Sequence, residues 1–104
     1  MPNIKFNYLY RDSANYKKYG SVIFGNPDNI ELSEIETLIR SKLIDGEWFY
    51  ADEWGLPELF LKTFDYRVDP DWHEFEGVEY SNEVAIQSIA IEKFKALIEK
   101  FHSI

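Results

Sequence analysis

The sequence contains no cysteine. That removes disulfides, thiolate nucleophiles and Cys-ligated zinc or iron–sulfur sites, and it suits a reducing compartment, with the cytoplasm as the expectation. It is also short of positive charge: 11 Lys and Arg stand against 19 Asp and Glu, a net charge of −8. This is the wrong sign for direct nucleic-acid binding, where Lys and Arg contacts to phosphate supply most of the affinity. No stretch approaches the roughly 20 apolar residues of a membrane helix, and residues 1–10 hold one Lys and no apolar run of the signal-peptide kind, so neither membrane insertion nor export is expected.

Catalytic spacings are missing as well. The serines lack any G-x-S-x-G setting. The pair Gly20 and Gly25 is followed by Asn26-Pro27 and not by Lys-Ser/Thr, so it is no phosphate loop. Only two histidines occur. His102 falls in a final helical turn, where a cation suits the helix dipole. His73 sits among Asp69, Asp71, Glu74 and Glu76, a setting in which an imidazole can ligate a divalent metal or act as a general base. No second His stands at ligand spacing, and in a strand His73 and Glu74 point to opposite faces. A surface or partner-bonded imidazole is therefore the expectation, with no metal and no cofactor. A small metal-dependent hydrolase centred on His73 with Asp69 and Asp71 is the alternative. Asp52 and Glu53 with Asp69 and Asp71 as a glycosidase-like acid/base set is what chance gives in so acidic a stretch.

What the chain does have is length for one domain and apolar surface for a core: 104 residues, 45% hydrophobic and 17% aromatic. Residues 3–11 alternate, with Ile4, Phe6, Tyr8 and Tyr10 on one side and Lys5, Asn7, Leu9 and Arg11 on the other, the period of a half-buried strand. A second strand is expected over 20–25, bounded by glycines and an Asn-Pro turn. Ser33 and Glu36 have the spacing of a capping box for a helix over 34–44, whose stripe is Ile35, Leu38, Ile39 and Leu43 and whose C′ residue is Gly46. Residues 47–51 read as a third strand. Residues 58–67 fit a strand or a helical cluster of Phe60, Leu61 and Phe64, and a strand is favoured. A short strand broken at Gly77 covers 75–81. A last helix near 88–102, capped by Ser88 or Asn82, buries Ala90, Phe94, Leu97, Ile98 and Phe101. The order predicts one α+β domain with a small, mainly antiparallel sheet and two helices packed on one face.

Charge is distributed unevenly. Residues 45–83 hold 2 basic side chains, Lys62 and Arg67, against 12 acidic ones, and they also hold all three Trp and 10 of the 18 aromatics. One reading makes the carboxylates a solvated face with the aromatics turned inward. The other exposes some aromatics beside the carboxylates as a recognition surface, with aromatic anchors and steering charge. On the second reading the chain is a non-enzymatic protein-binding module for a basic protein partner. Its binding residues are Asp52, Glu53, Trp54, Asp71, Trp72, His73, Glu74 and Glu76, with Trp54 and Trp72 as anchors. Size and charge match immunity or antitoxin-type inhibitors of basic nucleases, by analogy alone. A homo-oligomer pairing through a sheet edge or exposed aromatics is a third possibility.

The stretches FNYLYRDSANYKKYGSVIFGN, IETLIRSKLIDGEWFYADEWGLPELF and DPDWHEFEGVEY resemble a small bacterial family of conserved hypothetical proteins with no assigned activity. The resemblance spans most of residues 4–80. It implies a bacterial α+β domain and carries over no catalytic or binding residue.

Overall fold

The computed structural model describes residues 2–85 and 89–101. The elements run β1 (Asn3–Arg11), β2 (Lys17–Phe24), α1 (Leu32–Lys42), β3 (Trp48–Phe49), β4 (His73–Ser81) and α2 (Ile91–Ile98). The strands form one antiparallel sheet in the order β2-β1-β4-β3. β1 is central because its alternation is the cleanest in the chain: Ile4, Phe6, Tyr8 and Tyr10 all lie on the core side of the sheet, each almost fully buried. The opposite face carries Lys5, Asn7 and Arg11, and it is closed by Arg11–Glu74 and Lys5–Glu83 ion pairs and an Asn7–Glu79 hydrogen bond. Leu9 shares that face yet is buried.

Both helices cover the same side of the sheet. Ile35 and Ile39 of α1 and Ile91, Phe94 and Ile98 of α2 join the β1 aromatics in one core. Phe6 is its hub, with ring centroids of Tyr8, Phe49, Trp54, Phe75 and Phe94 between 5.3 and 6.3 Å away.

Several boundaries differ from the sequence expectation. α1 starts two residues early, with Glu31 as its N-cap and no side-chain cap bond. Ser33 lies inside the first turn, so the capping box does not form. The free Leu32 amide is instead satisfied by the Tyr80 hydroxyl at 2.9 Å, a partner 48 residues away that no local motif reveals. α1 ends at Leu43 in extended conformation, and Gly46 (φ +72) serves the tight turn closed by Ile44 and Trp48. β3 is two residues long because a turn around residues 51–55 follows at once. β4 begins earlier than expected, at His73. It passes Gly77 through a bulge: Asn7 pairs with Gly77 and Tyr8 with Phe75, leaving Glu76 without a partner on β1. α2 is shorter than expected and starts from Ala90 without a side-chain cap, so Asn82 does not cap it; Ser88 and His102 lie outside the described residues.

The largest departure is residues 58–67, which form no strand. They belong to an irregular loop, residues 50–72, that lies over the open end of the sheet between β3 and β4.

Candidate functional site

This long loop is held down by side chains of the sheet. The Tyr8 hydroxyl donates to the Pro57 carbonyl at 2.5 Å and the Tyr10 hydroxyl to the Pro70 carbonyl at 2.6 Å. Between them the Leu59 amide donates to His73 Nε2 at 2.9 Å. The Leu59 side chain seats on Gly20 of β2, where a Cβ would stand only 2.9 Å from its methyl carbons. At the far end, Asp69 Oδ1 accepts from the Ser13 amide and hydroxyl at 3.0 and 2.7 Å, and Asp69 Oδ2 accepts from the Asp65 amide at 2.8 Å. These bonds hold the Asp69 carboxyl below the usual carboxylate range, the Ser13 amide contributing most. Strand geometry is lost because the backbone polar groups of the loop are committed to tyrosines, a histidine and an aspartate, not to a neighbouring strand. The helical alternative for 58–67 survives as a contact: Phe60 and Phe64 pack at 4.5 Å and cover Tyr10.

The sequence-predicted site residues separate into two groups. Trp54 is only 3% exposed. Gly55, at φ +70, turns the chain so that the indole stacks on Phe49 at 4.7 Å and meets Phe94 edge-on at 5.9 Å. Trp54 is therefore a core residue and offers no surface anchor. His73 is 0% exposed. It is ringed by Tyr8, Tyr10, Phe49 and Phe60 at 5.2–6.1 Å. Burial drives its pKa down to about 4, against a small opposing pull from Asp52, so the ring is neutral at pH 7. With Nε2 accepting, the proton is assigned to Nδ1, which has no hydrogen-bond partner among the described residues. His73 is thus a partner-bonded core imidazole and not part of a binding surface. Glu74 is paired with Arg11 on the helix-free face at 2.7 Å and stands opposite Trp48 in the strand register. Glu76 is exposed at the bulge.

The hydrolase alternative loses its geometry. His73 is sealed, Asp69 is occupied by backbone and hydroxyl donors, and Asp71 faces outward. Among the described residues, no three His, Asp or Glu side chains gather as a metal site.

Asp52, Glu53, Asp71 and Trp72 are exposed and stay together. Trp72, 39% exposed, tilts against Trp48 at 5.9 Å. Beside it, Tyr66 is 83% and Val68 65% exposed, and of these Tyr66 falls in the 58–67 stretch expected as a strand. With Phe64, Arg67, Asp69, Pro70 and Asp71 these residues line a groove of about 410 Å³. A second concavity of about 310 Å³ is lined by Tyr50, Asp52, Glu53, Glu58 and Asp71. Asp71 belongs to both, so a groove of mixed aromatic, apolar and charged lining and an acidic cavity share a wall. Among the described residues no ion pair engages Asp52, Glu53, Glu58 or Asp71, whereas the loop's Arg67 is bound to Asp65 at 2.9 Å. The signal that would have found Tyr66 and Val68 is the spacing of Asp65 and Asp69. The Asp65 carboxylate accepts from the Arg67 amide two residues on, and the turn so formed lifts residues 66–68 outward.

Among the described residues, no helix is long and apolar enough to cross a membrane. Compared with known proteins, the chain matches no family model, no curated protein and no solved structure at a significant level.

Proposed function

We propose that this protein is a non-enzymatic binding module that engages a cationic protein partner through its 50–72 loop. The observation that carries the reading is the shared wall at Asp71: exposed Tyr66, Val68 and Trp72 on one side, and Asp52, Glu53 and Glu58 on the other, acids that form no ion pair among the described residues. Aromatic side chains exposed beside carboxylates suit a contact whose centre is apolar and whose rim steers by charge. The surface residues are therefore Tyr50, Asp52, Glu53, Glu58, Tyr66, Val68, Asp71 and Trp72. A second copy of the chain is a poorer fit, because each carries a net −8. A reducing, cytoplasmic setting is proposed from the absence of cysteine.

Immobilised protein tests this reading. The wild type is expected to retain a basic protein that elutes as salt rises, and Glu79→Gln on the opposite sheet face should retain it equally. Trp72→Ala combined with Asp71→Asn should not. Retention of an acidic partner, or undiminished retention by the double variant, overturns the proposal.

A further inference from the structure

The loop that displays this surface is held by Tyr8 at Pro57 and Tyr10 at Pro70, and between them by a titratable group, His73, at the Leu59 amide. Leu59 lies near the middle of residues 50–72, and its amide hydrogen ends on His73 Nε2. His73 is fully buried, and its other nitrogen has no partner among the described residues. A neutral imidazole with its proton on Nδ1 offers one acceptor, and that acceptor is the one Leu59 uses. Adding a proton at Nε2 puts two N–H donors face to face and places a cation in an aromatic enclosure.

The groups facing the ring give that cation little relief. From β1 come Tyr8 and Tyr10, each pushed by burial to about 12 and hence neutral. From β3 comes Phe49, and from the loop come Phe60 and the Asp52 carboxylate, whose charge favours protonation without offsetting burial.

We propose that His73 is an acid-sensitive latch: protonation at Nε2 removes the acceptor that holds the Leu59 amide and releases the middle of the 50–72 loop from the sheet. The consequence for partner binding rests on the surface reading above, but the latch itself does not.

The direction follows from linkage. The closed loop keeps the ring neutral down to about pH 4, whereas a hydrated histidine takes up its proton near 6.5. Above pH 6.5 neither state binds the proton and the loop stays shut. Between pH 6.5 and 4 only the open state binds it, so opening becomes about tenfold easier per pH unit, approaching ~300-fold over the gap of 2.5 units. Below pH 4 the effect levels off.

Amide hydrogen exchange on the free protein, corrected for the intrinsic pH dependence of exchange, reads this without any partner. Protection of Leu59 and its loop neighbours should fall about tenfold per unit between pH 6.5 and 4 while β1 and β2 amides keep theirs. In His73→Gln, which retains a neutral acceptor, the slope should vanish. The nitrogen shifts of the His73 ring in the wild type provide a second measurement should that variant not fold: they should show a neutral Nδ1–H tautomer at pH 7, titrating together with loop opening. Flat Leu59 protection, loss of loop and strand protection at one shared midpoint, an unchanged slope in His73→Gln, or a charged ring at pH 7 overturns the latch. Loss of partner binding alone, with the exchange pattern intact, overturns only the surface reading.

Discussion

Trp54→Ala should destabilise the protein by about 3–5 kcal/mol, the range for truncating a large aromatic in a packed core. The indole is sandwiched between Phe49 and Phe94 and touches Phe6, so its loss opens a cavity at the centre of the largest aromatic cluster. A domain of this size has on the order of 5–15 kcal/mol in total, so about a fifth or more of the stability is at stake. Trp72→Ala should cost about 1 kcal/mol, because the side chain is partly solvated and its main aromatic neighbour is Trp48. Denaturant midpoints at constant m-value measure both. Equal small losses for the two tryptophans would mean that Trp54 is not in the core.

The second large effect is kinetic. Neutralising Asp52, Glu53, Glu58 and Asp71 together should slow association with a basic partner by tenfold or more at low salt, because carboxylates clustered around a concavity raise the encounter rate. The difference should shrink as salt rises, since the Debye length falls from about 10 Å at 0.1 M to about 3 Å at 1 M. Trp72→Ala should act on dissociation instead, weakening the complex by roughly 2 kcal/mol or more, as removal of a central anchor does. Stopped-flow or surface kinetics at two salt concentrations separates the two classes. Salt-independent association, or a Trp72→Ala variant with unchanged dissociation, contradicts this division of labour.

How much of this was legible in the sequence depended on range. The alternation of residues 3–11 and the stripe through Ile35 and Ile39 are local patterns, and the sheet and helices formed from them as expected. The charge map was equally direct, because counting needs no geometry. The 50–72 loop was not legible for the opposite reason. Residues 58–67 alternate well enough for a strand, but His73 holds Leu59, and Tyr8, Tyr10 and Ser13 hold the flanking Pro57, Pro70 and Asp69, partners that lie 14 to 60 residues apart. The two tryptophans illustrate the limit. Both stand beside acidic residues, yet Gly55 turns one inward while the turn before Pro70 leaves the other out. Asp52, Glu53, Asp71 and Trp72 are expected from sequence and line the two concavities; Tyr50, Glu58, Tyr66 and Val68 join them only once the loop is seen as a loop.

Hydrogen exchange on the protein in complex with its partner tests the central claim most directly. Binding should slow exchange at residues 50–53, 58 and 64–72, around the two concavities, and leave β2 and the helix-free face of β1 and β4 unchanged. A footprint on the β2 edge or on the face carrying Lys5, Asn7 and Arg11, with residues 64–72 exchanging as in the free protein, would contradict it.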